Sequence, residues 1–110
     1  MSSLKVSLAF LDGPVANIIN QGTKIATSMD GNENFPIPPI SPQGLQSVVN
    51  DLKTMETKAR NKKQQNIIDR DVALADVQDF ILQNAVYVEN ASKNDLEVLL
   101  SSGFEAQSKP

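Results

Sequence analysis

Residues 64–91 read QQNIIDRDVALADVQDFILQNAVYVENA, and the reading of this stretch decides the fold. It holds neither Gly nor Pro over about eight helical turns. Its apolar residues are Ile67, Ile68, Val72, Ala73, Leu74, Ala75, Val77, Phe80, Ile81, Leu82, Ala85, Val86, Tyr87, Val88 and Ala91. They cover more than one stripe of a helix. The spacing predicts one long helix at the centre of the core, touching neighbours on two sides.

Upstream of it, Ser41-Pro42 is a helix start, an N-cap followed by a proline at the first helical position. Leu45, Val48, Val49, Leu52, Met55 and Ala59 then recur at spacings of three and four, predicting a helix to near Arg60. Residues 61–66 carry no apolar group and take the turn, although without Gly or Pro the helix can also run on. Residues 35–42, Phe-Pro-Ile-Pro-Pro-Ile-Ser-Pro, are extended, because successive prolines fix φ and restrict the residues before them. Such a segment is either a PxxP-type ligand or, the reading preferred here, a stiff connector whose Phe35, Ile37 and Ile40 plug one end of a bundle.

Before the connector, Val15, Ile18, Ile19, Gly22, Ile25, Ala26 and Met29 draw one apolar stripe. Asp12 is the expected N-cap of that helix, Pro14 falls in its first turn, and Gly31-Asn32 stop it. Gly22 on the stripe predicts a close helix crossing. At the N-terminus, Leu4, Val6, Leu8 and Phe10 alternate with Lys5, Ser7 and Ala9, the period-two pattern of a half-buried extended segment. This arm either lies across the helices of its own chain or pairs with another subunit. After the long helix, Asn94 with Glu97 matches a capping box, and Leu96, Leu99 and Leu100 are expected to face inward. Gly103 suits a left-handed helix end and Phe104 its hydrophobic contact. The fold class is therefore all-α: an antiparallel helical bundle of three main helices plus a short C-terminal helix (12–104), an extended N-terminal arm (1–11), and a polar tail or linker (105–110).

Composition narrows the chemistry. The 110 residues include no Cys and no His, which removes thiol chemistry and the usual general base and zinc ligand. Asp69, Asp76 and Asp79 lie on the long helix, but carboxylate metal sites in bundles use Glu with His, so a solvated face is expected. Ser101-Ser102 has no base to activate a hydroxyl. No catalytic, metal or cofactor residue is assigned, and no cofactor is expected. A net charge of −3 disfavours nucleic acid and anionic lipid as partners of the whole molecule. No apolar run approaches a membrane span, and Met1–Phe10 does not read as a signal peptide. Charge is nevertheless uneven. Lys53, Lys58, Arg60, Lys62, Lys63 and Arg70 form a basic cluster around the turn; between residues 53 and 63 five basic residues face only Glu56, whereas acidic residues dominate from 69 to 105. Such polarity suits head-to-side packing on copies of the chain or on a charged partner.

Asn34-Phe35-Pro36, Pro38, Leu45, Tyr87-Val88 and Leu99-Leu100-Ser101-Ser102-Gly103-Phe104 follow one another in this order. This pattern resembles a family of small bacterial helical proteins of unassigned function, whose ending often precedes a fibronectin-type-III-like β domain. The resemblance spans about residues 12–104. The family's glycine-containing turn is replaced here by Asn61-Lys62-Lys63, the helices hold fewer alanines, and the chain ends where the β domain would begin. The resemblance implies an antiparallel helical bundle with an accessory role and carries over no catalytic residue. The expected function is a non-catalytic structural or protein-interaction module in a larger assembly of surface, filament or phage-particle type, with a protein partner or self-association. The expected contact residues are Leu4, Val6, Leu8 and Phe10 of the arm and Lys58, Arg60, Lys62 and Lys63 of the turn. The alternative is a soluble adapter that recognises a protein or nucleic-acid ligand through the basic 53–63 segment.

Overall fold

The computed structural model describes residues 4–107. An extended stretch over residues 4–8 leads into a 3-10 turn, Ala9–Asp12, followed by α1 (Val15–Met29), α2 (Pro42–Ala59), α3 (Gln64–Ser92) and the short α4 (Leu96–Ser101). The helices form the antiparallel bundle expected. α2 lies between α1 and α3, and α4 folds back on α3. The Cα extents are 49 × 32 × 16 Å, with a radius of gyration of 14.6 Å. A spherical domain of this length has a radius nearer 13 Å. The molecule is thus a thin slab, and its helices have broad outer faces.

The core joins Ile18, Ile25 and Met29 of α1, Leu45, Val49 and Leu52 of α2, Val77, Ile81, Ala85 and Val88 of α3, and Leu99, Phe104, Phe35 and Val6 from the flanking segments. Gly22 faces α2 at close range: a Cβ added there would lie 2.8 Å from Val49 Cγ2. Gly22→Ala is therefore expected to cost about 1–3 kcal/mol through overpacking. In a Val49→Ala background the same change should be neutral or stabilising, since Ala in a helix gains roughly 0.5–1 kcal/mol over Gly. Denaturant unfolding of the four chains tests this, and an unchanged penalty in the Val49→Ala background refutes the contact.

Helix α2 begins as expected, with the Ser41 hydroxyl accepting from Gly44 N–H at 3.0 Å and Pro42 at the first position. Three other local expectations are corrected. Asp12 is not the cap of α1. It closes the 3-10 turn, and Pro14 occupies the N-cap position without a side-chain bond. The turn tucks Phe10 and Leu11 against the core, which an uninterrupted helix start would not do. The cap of α4 is Asp95, whose carboxylate accepts from Val98 N–H, one residue later than the Asn94–Glu97 box. Lys93 and Asn94 both have left-handed backbone (φ 50° and 63°), and the Asn94 side chain instead accepts from Leu4 N–H at 3.0 Å. That shift turns α4, so Leu99 is buried while Leu96 and Leu100 stand half exposed.

The connector is also corrected in part. Phe35 is buried edge-on against Tyr87, with ring centroids 6.1 Å apart, and Ile40 is half-buried, but Ile37 is 80 % exposed. Two α3 side chains hold this segment. Tyr87 Oη accepts from Ile37 N–H at 3.2 Å, and the buried Asn84 bonds both backbone groups of Ile40. The extended backbone has no helical partners of its own, so these bonds satisfy it. Asn34 and Asn32 donate to Ser101, while Gln21 donates to the Gly103 carbonyl. The Asn-Phe-Pro and Leu-Leu-Ser-Ser-Gly-Phe segments, distant in sequence, thus meet in space. Gly103 has φ 89°, and an added Cβ would lie 2.9 Å from the Lys24 carbonyl oxygen, so the left-handed helix end and close approach both require glycine.

Candidate interaction surface

The arm is woven into its own chain. Val6 is 1 % exposed and pairs antiparallel with Ala106. Ser7 N–H donates to the Glu105 carbonyl at 2.6 Å, and Gln107 N–H to the Lys5 carbonyl at 2.9 Å. On the other edge, Val6 N–H donates to Glu89 Oε2 at 2.9 Å and Leu4 N–H to Asn94. Leu4, Leu8 and Phe10 are half-buried against the core. Both edges of the extended segment are therefore occupied, and its partner is residues 105–107, which the sequence read as a polar tail. The pairing is legible only in retrospect, in the small apolar Ala106 between polar neighbours. Residues 1–3 and 108–110, the ends of the arm and of the tail, lie outside the described residues.

The turn between α2 and α3 presents the other expected residues. Lys58, Arg60, Lys62 and Lys63 are all exposed. The loop is set by amides rather than by charge: Asn61 Oδ1 accepts from Lys63 N–H at 2.9 Å and from Asn66 Nδ2 at 3.2 Å. Among the described residues the ion pairs are Arg70 with Glu56 (3.1 Å) and Arg70 with Asp71 (2.7 Å). The hydrogen bond to Asp71, together with the charges of Glu56 and Asp71, raises the pKa of Arg70. Arg70 is thereby drawn out of the basic cluster, while the four turn cations keep no carboxylate partner among the described residues.

A surface that the sequence reading did not single out lies along α3. Its buried residues, Val77, Ile81, Ala85 and Val88, face α2 and the core. Away from them, Ile68, Val72, Ala75, Asp79, Leu82 and Val86 are all exposed. Ile68 is 47 %, Val72 59 %, Leu82 44 % and Val86 60 % exposed, values that leave four large apolar side chains in water on one line. The second apolar stripe of the sequence is real, but no element of the described chain covers it. Beside it, α2 and α3 frame an open groove of about 400 Å³ lined by Val48, Met55, Val72 and Ala73 together with Asp51, Asp69 and Asp76. Among the described residues no three side chains of metal-ligating type converge, these carboxylates included, and no helix is long and apolar enough to cross a membrane.

These features are surfaces: an apolar line, an acidic groove beside it and a cluster of exposed cations at the turn. Scans of protein-family models, curated proteins and solved structures each return no match to the chain.

Proposed function

We propose that the protein is a non-catalytic structural or protein-interaction module that acts as a component of a larger assembly, of the surface, filament or phage-particle type. The observation that carries this reading is the apolar line on α3. A row of exposed Ile, Val and Leu side chains on the longest helix is unfavourable in water and marks an interaction site. The resemblance of the Asn34–Pro36 and Leu99–Phe104 segments to a family of small bacterial helical proteins of unassigned function implies an accessory role, in line with this reading. The arm does not serve as a free hook in it, because Val6 belongs to the core and deleting the arm would disturb the fold itself.

Light scattering of the untagged chain over a range of concentration tests the proposal. A mass that rises above the 11.9 kDa of one chain is expected. A monomer under all conditions overturns self-assembly and moves the reading to an adapter. The exposed cations at the turn favour that second reading: a soluble domain that recognises a charged ligand through Lys58, Arg60, Lys62 and Lys63. There, Lys62→Glu with Lys63→Glu is expected to weaken binding of an acidic peptide or of labelled RNA at least tenfold, an effect of about 1.4 kcal/mol. Equal binding by the doubly reversed chain would refute the adapter reading.

A further inference from the structure

Ile68, Val72, Ala75, Asp79, Leu82 and Val86 are separated by four, three, four, three and four residues. The alternation of fours and threes is the spacing of a two-helix seam, and its mean of 3.6 residues per step (18 residues over five turns) keeps the stripe straight along the helix. The seam lies opposite the face α3 buries in its own bundle, and it runs for about 27 Å. We propose that it is completed by α3 of a second copy, packed antiparallel about a two-fold axis at the level of Val77. The inference rests on the interaction-module reading and names the partner, the surface and the register.

Charge decides both the occupant and the direction. In the antiparallel register centred on Val77, Ile68 packs on Val86 of the second copy, Val72 on Leu82, and Ala75 on Asp79. Asp79, the one polar seam residue, thus meets a methyl group in the middle of the seam, not its own charge, and accepts from Gln83 Nε2 of its own helix at 2.9 Å. A parallel pair would set Asp79 on Asp79 and Asp71 beside Asp76 twice, and like charges held that close are unfavourable.

The ends agree. Antiparallel pairing carries the turn of each copy, with Lys58, Arg60, Lys62 and Lys63, to the end of α3 in the other. There Glu89, Asp95 and Glu97 outnumber Lys93. The electrical asymmetry within one chain becomes complementary between two. An isologous contact of this kind uses one patch on both subunits and closes at two copies. Larger assemblies then grow from other faces of the dimer.

The absence of cysteine from the chain permits a clean test. Val72→Cys and Leu82→Cys are prepared as two separate single variants, each at an exposed position, with helicity checked by circular dichroism. In the proposed register the two Val72 positions are about 15 Å apart along the axis, as are the two Leu82 positions, while Val72 faces Leu82. Disulfides need Cα atoms within about 7 Å. Oxidation with copper phenanthroline should leave each variant alone uncrosslinked, and an equimolar mixture should give a covalent dimer of twice 11.9 kDa in at least tenfold higher yield. Crosslinking of each variant with itself overturns the antiparallel direction. If light scattering shows an oligomer but the mixture does not crosslink, the seam is refuted while the assembly reading stands. A chain that is monomeric throughout overturns self-assembly itself. Salt provides a further check: at about 1 M the Debye length is ~3 Å, which should dissolve docking driven by the basic turn but leave an apolar seam intact. A dimer lost in high salt therefore overturns the seam.

Discussion

Phe104→Ala is expected to lower the free energy of unfolding by about 3–5 kcal/mol, the range for deleting a fully buried phenyl ring. Phe104 is 1 % exposed and packs into the core directly behind the left-handed Gly103. Small domains have about 5–15 kcal/mol of stability in total, so the variant should lose a large fraction of it. The effect also has a local signature. Phe104 precedes Glu105–Gln107, the segment that bonds Lys5 and Ser7, so removal of its anchor should speed hydrogen exchange at the Ser7 and Gln107 amides more than at amides within α2. Urea unfolding measures the global term and exchange the local one. A cost below about 1 kcal/mol would show that the ring is not held as described.

Asn84→Ala should cost about 2–4 kcal/mol, although the residue is polar and sits in mid-helix. Asn84 is 1 % exposed, accepts from Ile40 N–H at 3.0 Å and donates to the Ile40 carbonyl at 3.0 Å. Removing its amide strands two backbone groups in a segment whose prolines offer no alternative pairing. Asn84→Leu, which adds apolar bulk in the same place, should be no better, because the Ile40 groups stay unpaired. Asn90→Ala on the exposed face is the control and should lie within about 0.5 kcal/mol of the parent. Equal stability of Asn84→Leu and the parent would mean that water replaces the clasp.

The fold was legible where one residue type permits few geometries. Ser41-Pro42 starts α2, Gly103 ends α4, and Gly22 marks a helix crossing, each because a hydroxyl acceptor, a positive φ or a missing Cβ admits little else. Reading failed where neighbouring residues were equally suitable. Asn94 and Asp95 both cap well, and the choice depends on a bond from Leu4, ninety residues away in sequence. The arm's partner was hidden because two backbone bonds over residues 105–107 leave almost no pattern in side chains. The apolar surplus of α3 predicts a central helix with neighbours on two sides, but α2 takes the central place and Ile68, Val72, Leu82 and Val86 stay exposed. Sequence alone could not say whether a neighbour within the chain would cover them. A slab 16 Å thin, with α2 packed on one side of α3, leaves the opposite side bare.

The pairing of Lys5–Ser7 with Glu105–Gln107 also sets how the protein answers mechanical load. Because the two segments run antiparallel, residues 4 and 107 lie at the same end of the pair. Tension applied through the chain's ends therefore peels the bonds one after another, as a zipper opens, and does not shear them together. The first bonds to yield are Leu4 to Asn94 and Gln107 to Lys5, then Val6 to Glu89 and Ser7 to Glu105, followed by the withdrawal of Val6 from the core.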